Sequence, residues 1–403
     1  PPLHTGAGLQ AHAIARILYP GVETSVVTLG ACGLPPTETH HGLRIRRLGS
    51  ATAGRAARDF GMRVFPYLMR LRPAPDLVKI VGVGPAAYAA LVACRLRRLP
   101  AIVKLTLEGE DDPAFLRRKA GGRWRLRLLR WADRLICPSR RLEEIARSAG
   151  FDPQRVIRIP NGVDLERFAP QGHASLSEWI YVGTLVERKR VHLLLEVLSS
   201  LGPHYPELRL HLVGGLKLGA GLEPQREPGA TARPRPGRES VPAGGSGAVD
   251  ALKPAVASKP GPAGVQDTSY LEHLSRLAET RPLQGRVIFR GSLAHPEEVL
   301  RSCGIFLLAS TAEGLPNALL EAMACGLVPV VSDLPAHREL ISPGENGILV
   351  PPDDTAAWVR ALERLLENPQ RAHAMGRAAR ATMERGYDLR ETASAYLRVY
   401  RSL

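Results

Sequence analysis

Residues 313–321 constrain the fold of this chain more than any other stretch, because they lie between two short apolar runs. The runs, 304–310 and 328–332, each have the length and composition of a buried strand. Between them, Pro316 suits the first position of a short helix, since proline lacks the amide hydrogen that this position leaves unpaired. The pattern therefore predicts an α/β unit of strand, loop, helix and strand.

Two carboxylates beside a helix start make this unit a candidate anion site. The amides of Leu315, Asn317 and Ala318 are expected to face outward from the positive end of the helix, which favours phosphate. Glu313 would lie at the end of the strand, and Glu321, about one turn into the helix, would lean back toward the same end. Carboxylates placed in this way can accept hydrogen bonds from sugar or ribose hydroxyls. Two unrelated surface glutamates are the simpler interpretation.

The composition is that of a globular chain with an unusual charge. Its 403 residues, 44% of them hydrophobic, suffice for two domains, and the net charge of +15 predicts an anionic partner such as nucleic acid, a membrane surface or a phosphorylated ligand. The cysteines are scattered without a CxxC pair, which fits a reducing compartment better than a metal site or a disulfide framework. No apolar run reaches the ~18 residues that span a bilayer. We therefore expect a cytoplasmic protein that could also bind the inner face of the membrane.

Apolar runs and helical patterns alternate along the chain, which predicts parallel sheets with helices on both faces and ligands bound beyond the carboxyl ends of the strands. The strands predicted in the first series are 25–29, 43–48, 76–81, 101–106, 134–137 and 155–159. Those predicted in the second series are 179–183, 208–213, 286–290, 304–310, 328–332 and 347–350. Helices predicted in the first series include 9–19, 55–70, 85–98 and 113–131.

The alternation also sets the predicted domain boundaries. We expect one Rossmann-like domain over residues 1–170, a second over 171–385, and a final helix at 386–403. Residues 216–266 contain no aromatic residue and are rich in Pro and Gly, a composition that cannot bury enough apolar surface to fold. They are therefore predicted to be a disordered insertion in the second domain. The chain opens on a glycine-containing loop with no strand before it, which suggests a truncated sequence.

Several of these segments together resemble a known family over most of the chain. The 313–326 stretch resembles the donor-binding signature of retaining glycosyltransferases of the GT-B fold, family four. Asn-Gly-Val-Asp at 161–164 is similar to the family's domain junction. The resemblance implies an α/β fold of two Rossmann-like domains facing a cleft, with the acceptor on the first domain and the nucleotide-sugar donor on the second. It also implies that the helix 386–403 packs back on the first domain.

The resemblance assigns roles to the donor-side residues. Glu313 resembles the residue that contacts the donor sugar, and Glu321 the residue that binds the ribose hydroxyls. The loop residues that would hold the diphosphate are Gly314, Leu315, Pro316 and Asn317.

A cationic segment, 183–189, resembles the family stretch whose Arg and Lys hold the donor diphosphate. Lys189 matches the family's lysine, and a cation there would act on the charge that grows on the leaving diphosphate. Thr184 stands where the family usually has Arg, so Arg188 is the candidate for the second charge. An exposed cluster of basic residues at a helix start is the alternative interpretation.

The acceptor side departs from the family. Gly6 and Gly8 would let backbone amides approach a ligand ahead of the first helix. Glu108 stands near the place where many members have a His, and either Glu108 or Asp112 could orient the acceptor hydroxyl or accept its proton. An equally plausible interpretation is a solvated acidic loop in which Asp112 caps the helix that starts at Pro113. We take Glu313, Lys189 and Glu108 as the predicted catalytic residues.

Two basic segments, 55–72 and 117–131, interleave arginines with aromatic and apolar residues. They resemble amphipathic segments that meet anionic lipid, although buried apolar residues with a solvated arginine face would give the same pattern. Specific nucleic-acid binding fits less well, because no helix-turn-helix, RNA-recognition or zinc-finger signature accompanies the charge.

The sequence thus predicts an enzyme that moves a sugar from a nucleotide-diphosphate sugar to a saccharide or lipid-linked saccharide, in cell-surface polysaccharide synthesis. The resemblance implies retention at the anomeric carbon, without a metal or other cofactor. A nucleotide-sugar epimerase of the same fold, or a non-catalytic binding protein, is the alternative.

Overall fold

The computed structural model describes residues 6–30, 34–49, 56–172, 174–215 and 269–403. The predicted insertion at 216–266 and the predicted truncation at the start of the chain fall on residues outside these ranges. The described residues form three sheets, two in the amino-terminal half and one in the carboxy-terminal half.

The amino-terminal half contains seven strands in the described ranges, arranged in the orders β1-β3-β2 and β4-β5-β6-β7. The strands are β1 Ser25–Leu29, β2 Thr37–His40, β3 Leu43–Leu48, β4 Val78–Val81, β5 Ala101–Lys104, β6 Arg134–Cys137 and β7 Val156–Arg158. The helices are α1 Gly6–Leu18, α2 Ala56–Arg70, α3 Pro85–Arg97, α4 Pro113–Arg118, α5 Gly122–Leu129 and α6 Arg140–Ser148. The four-stranded sheet is parallel throughout, and its central strands are buried on both faces, as the continuous apolar runs predict.

Three local predictions for this half were wrong. Strand β2 was missed and pairs antiparallel with β3, through a turn in which His41 and Gly42 both have positive φ. The helix predicted at 113–131 is two helices, because the chain turns at Gly121, where φ is +70°, and a Cβ at Gly122 would lie 2.5 Å from the Leu116 carbonyl oxygen. Helix α1 begins at Gly6, so Gly6 and Gly8 lie in its first turn and not in a loop before it.

The carboxy-terminal half is one parallel sheet in the order β10-β9-β8-β11-β12-β13. Its strands are β8 Ser175–Val182, β9 Arg209–Val213, β10 Val287–Gly291, β11 Cys303–Leu308, β12 Val328–Ser332 and β13 Ile348–Val350. Its helices, with the last helix of the chain, are α7 Val191–Leu201, α8 Ser269–Glu279, α9 Pro296–Ser302, α10 Asn317–Ala324, α11 Pro335–Arg338, α12 Thr355–Glu367, α13 Pro369–Gly386 and α14 Leu389–Arg401. The strand order reverses between β8 and β11, and in such sheets ligands bind at the carboxyl ends of the two strands that flank this switch point.

The last helix, α14, lies against the amino-terminal half. Leu389 and Tyr396 share a buried apolar cluster with Ile14, Ile102 and Ile136. A parallel bridge joins the segment before α14 to the junction segment: the amide of Val163 donates to the Tyr387 carbonyl at 2.8 Å. The two halves are therefore tied together at this junction by backbone hydrogen bonds as well as apolar packing.

Candidate active site

The loops that follow β8 and β11 meet at the switch point. The amide of Thr311 donates to the carbonyl oxygen of Arg188 at 3.0 Å, and the Arg188 guanidinium donates to the carbonyl of Ala312 at 2.6 Å. These bonds place the end of the cationic segment, a 3₁₀ turn at Glu187–Lys189, directly beside Glu313.

Glu313 is buried between two cations. Its carboxylate forms an ion pair with the ammonium of Lys189, and its other oxygen lies 4.0 Å from Nη1 of Arg188. Burial alone would raise the pKa of Glu313, but Lys189 and Arg188 more than offset it, so the pKa lies below its usual value. Glu313 therefore stays ionised, and the site holds two positive groups around one negative group.

Arg188 also contacts the amino-terminal half. Its Nε lies 3.7 Å from Oε1 of Glu110, which belongs to the acidic loop after β5. The structure thus places a second cation next to Lys189 although Thr184 replaces the family's usual arginine. Thr184 uses its carbonyl to accept a hydrogen bond from the hydroxyl of Tyr181 at 2.7 Å.

Glu321 lies in α10, four positions after the first residue of the helix, Asn317. Burial raises the pKa of Glu321 to about 7, an effect that Arg167 opposes and Glu297 adds to. Arg167 itself pairs with Glu297 at 2.8 Å. Sequence reasoning missed this neighbouring pair, because its members lie at 167 and 297 and join only through the fold.

The loop 314–317, which we call the donor loop, packs against the amino-terminal half. A Cβ at Gly314 would lie 2.0 Å from the carbonyl oxygen of Thr106, so this position must be glycine. Pro316 precedes α10 as its N-cap instead of forming its first residue, which corrects the prediction by one position. The side-chain amide of Asn317 donates to the Gly6 carbonyl at 2.7 Å. The fold therefore brings together most of the predicted site residues: Gly6, Glu313, Arg188, Lys189 and the donor loop. Gly8 follows two positions after Gly6, in the first turn of α1.

The acidic loop after β5 is ordered by its own carboxylates. Asp112 caps α4, accepting from the amides of Phe115 at 2.9 Å and Gly109 at 2.6 Å, so the capping interpretation of this residue is correct. Glu108 takes no part in this capping, and its carboxylate accepts from Nε of Arg141 at 3.1 Å. The predicted role of Glu108 toward an acceptor stays a prediction.

One buried histidine was not singled out from the sequence. Nδ1 of His337 lies 2.6 Å from the Ser332 carbonyl and must carry the hydrogen, since a carbonyl only accepts. Nε2 of His337 is buried and has no hydrogen-bond partner within the described ranges. Burial lowers the pKa of His337, although the charge of Glu313 opposes the shift. The sequence offers one signal that could have found this residue: His337 follows shortly after the buried strand β12, which pairs with β11.

The basic segment 117–131 contains both buried and exposed apolar residues, and its contact with a membrane stays a prediction. Leu126 and Leu129 are core residues, whereas Trp124 and Trp131 are 52% and 39% exposed among arginines. A groove of about 400 Å³ lies beside Trp124 and extends to Glu110, the residue that also faces Arg188. None of the helices in the described parts of the chain has the length and apolarity to cross a bilayer.

Comparison with known proteins agrees with this architecture. The structure of Anabaena HepE in complex with UDP and glucose superimposes with a TM-score of 0.72 at 18% identity, covering 100% of this chain and 98% of that one. The two Rossmann-like halves are thus the GT-B fold, as the sequence predicts.

Family comparisons assign the chain more closely. The family described as Glycosyltransferase Family 4 matches residues 6–167, and the family described as Glycosyl transferases group 1 matches residues 260–382. The chain therefore belongs to the group 1, family four glycosyltransferases, which confirms the resemblance.

Individual relatives are distant and match in part. Putative glycosyltransferase EpsD of Bacillus subtilis is 33% identical over 28% of this chain and 30% of its own length. A D-inositol 3-phosphate glycosyltransferase of Rhodococcus jostii is 24% identical over 75% of this chain and 59% of its own length. The chain thus spans less than two thirds of either relative.

Proposed function

We propose that this glycosyltransferase moves a sugar from a nucleotide-diphosphate sugar to a saccharide or lipid-linked saccharide, with retention at the anomeric carbon. The observation that carries the proposal is the arrangement of Lys189 and Arg188 around Glu313 at the switch point of the carboxy-terminal sheet. Switch points are where sheets of this kind bind nucleotides.

The two cations suit the leaving diphosphate. As the bond between the anomeric carbon and the phosphate oxygen breaks, negative charge grows on that oxygen, and positive groups already in place stabilise it. Because Lys189 and Arg188 supply this charge, the reaction does not require a metal ion or other cofactor. Glu313, ionised and fixed between them, is positioned to accept hydrogen bonds from the sugar hydroxyls.

Retention follows if the acceptor attacks from the face that the diphosphate leaves. The acceptor oxygen bonds to the anomeric carbon on that face, and its proton passes to the departing phosphate oxygen, so no protein base is needed for the proton. Glu321 would hold the ribose hydroxyls of the nucleotide as a carboxylate.

The acceptor is assigned to the amino-terminal half. The groove beside Trp124 carries aromatic and cationic side chains, Tyr88, Phe115 and Lys119, and reaches Glu110 next to the donor-side Arg188. Aromatic faces suit sugar rings and cations suit phosphate. Exposed Trp124 and Trp131 among arginines fit an anionic membrane surface, which favours a lipid-linked acceptor in cell-surface polysaccharide synthesis.

A donor screen tests the proposal. Nucleotide sugars with uridine, guanosine and adenosine bases are added one at a time, and a ligand that binds the folded chain raises its melting temperature. The selected donor is then incubated with and without saccharide acceptors, in excess chelator, and the anomeric configuration of the product is read by proton NMR. We expect the product to have the same anomeric configuration as the donor, and the rate of transfer to be the same with and without chelator. A donor changed at another carbon without acceptor would indicate an epimerase, and no shift with any donor would indicate a non-catalytic protein.

A further inference from the structure

A chain of hydrogen bonds crosses from the amino-terminal sheet to the donor loop. The ammonium of Lys104, at the end of β5, donates to Oδ1 of Asn161 at 2.7 Å. Nδ2 of Asn161 then donates to the Leu315 carbonyl and to Oδ1 of Asn317, each at 2.8 Å. Nδ2 of Asn317 donates in turn to the carbonyl of Gly6 at 2.7 Å. The donor loop is therefore bonded to two separate elements of the amino-terminal half.

The direction of these bonds is set by Lys104. An ammonium group has donors only, so the carbonyl oxygen of Asn161 must face it, and both amide hydrogens of Asn161 must point toward the donor loop. Asn317 follows the same logic, because its oxygen is already used as an acceptor. Lys104 and Asn161 are both buried, where hydrogen bonds are stronger than in water and a reversed amide would leave donors unpaired.

The surroundings of Lys104 do not otherwise explain a buried charge. Within the described ranges Lys104 has no carboxylate at ion-pair distance; its neighbours include the ring of Tyr396, 6.0 Å away, and burial lowers its pKa to about 8. Burying an ammonium without a counter-charge is unfavourable for folding, and an apolar side chain would fill the space at less cost. The charge is therefore better explained by what it holds in place, which is the amide of Asn161.

We propose that Asn161 is a positioning residue for sugar transfer: oriented by Lys104, it fixes the donor loop against the amino-terminal half so that Glu313 and Glu321 face the donor together. The inference rests on the proposed function. The contact of Gly314 with Thr106 lies on the same loop, so the loop is held at its start by packing and at its end by the Asn161 amide.

The substitution Asn161→Asp tests this with little change of shape. An aspartate keeps the bond to Lys104 but has no hydrogens to give to Leu315 and Asn317. Asn346→Asp is the matched control, because Asn346 is also buried and donates to the Leu340 carbonyl at 2.9 Å and to the Thr382 hydroxyl at 3.0 Å, wholly within the carboxy-terminal half.

Two measurements at neutral pH separate the possible results. In Asn161→Asp we expect hydrogen exchange in peptides covering 313–321 to speed up about tenfold, and kcat/KM for the donor to fall by about the same factor, since two buried hydrogen bonds are lost. In Asn346→Asp both quantities should match wild type. Exchange that is unchanged in Asn161→Asp overturns the inference whatever the activity, and so does faster exchange with wild-type turnover. If wild type transfers no sugar, the proposed function fails, while exchange still decides whether Asn161 holds the loop.

Discussion

The ammonium of Lys189 forms an ion pair with the carboxylate of Glu313, although the two residues lie 124 positions apart in the sequence. The side chains are only 12% and 7% exposed. The loops after β8 and β11 are therefore joined by a partly desolvated contact, and the two sequence motifs that predicted a donor site form one cluster.

The ion pair should couple the effects of replacing Lys189 and Glu313 on the free energy of unfolding. Each single substitution leaves one charge without its partner, and the double substitution removes both charges together. Glu313→Gln leaves Lys189 without its ion-pair partner and Arg188 with Glu110 alone, at 3.7 Å. Lys189→Met leaves Glu313 with Arg188 at 4.0 Å. We expect Glu313→Gln to cost roughly 3 kcal/mol of unfolding free energy and Lys189→Met less. The double variant should fall short of the sum by about 1 kcal/mol or more. Urea unfolding of all four proteins checks this, and strictly additive values would mean that the pair is not coupled.

Arg188 should act mainly on turnover. Arg188→Gln removes the second positive group beside Glu313, so the leaving diphosphate loses stabilisation, and kcat should fall on the order of 100-fold. Arg209→Gln is the control, since Arg209 is half-exposed on β9 and pairs with Glu178 at 3.9 Å. Steady-state kinetics with a saturating donor provide the comparison. Equal kcat in the two variants would show that Arg188 does not stabilise the leaving diphosphate.

The pKa of Glu321 predicts a pH dependence for donor use. Burial raises this pKa from 4.5 to about 7, so the folded chain binds the proton more tightly than the unfolded chain. The contribution to stability is therefore present below 4.5 and is lost as the pH rises through about 7. Donor binding needs the carboxylate and shows the opposite trend: kcat/KM should rise about tenfold per pH unit up to neutrality. In Glu321→Gln, kcat/KM should no longer rise with pH over this range. A rise that persists in the variant must come from the titration of another group.

The exposed tryptophans predict membrane binding. Replacing Trp124 and Trp131 with serine should weaken sedimentation with anionic lipid vesicles by about tenfold, because the side chains bury apolar area beside arginines that attract the headgroups. Phe289→Ser is the control, since Phe289 is 38% exposed on the opposite domain. Binding should also weaken as salt rises. Loss of binding in the control alone would place the membrane face elsewhere.

Local pattern was sufficient to predict most of the parallel sheets. Strands such as β6 and β12 are short apolar runs buried on both faces, and their bounds in the structure match those predicted from the sequence. Strand β2 was missed because its residues are polar and mostly exposed, so apolar periodicity gives no signal. The break between α4 and α5 was missed because one turn at Gly121 interrupts a pattern that otherwise continues as helix.

The site was predictable only where its residues lie close in sequence. Residues 313–321 carry the donor motif in one stretch, and the lysine at 189 was found by resemblance. The bonds from Asn161 to Leu315 and Asn317 span more than 150 positions, and no local pattern encodes them. The same holds for Glu321 beside Arg167, whose proximity depends on how the junction segment crosses the sheet.

The most direct test of the central claim is the affinity for the donor product. Titration calorimetry with uridine, guanosine and adenosine diphosphates should find one that binds wild type, and Glu321→Ala should bind it at least about tenfold more weakly, because charged hydrogen bonds to the ribose are lost. Glu367→Ala is the control, because Glu367 is an exposed residue at the end of α12, and this variant should bind the nucleotide as tightly as wild type. Donor turnover should disappear in Glu321→Ala while its melting curve stays cooperative. Equal affinity and near-normal sugar transfer in Glu321→Ala, or no nucleotide bound by wild type, would contradict the account.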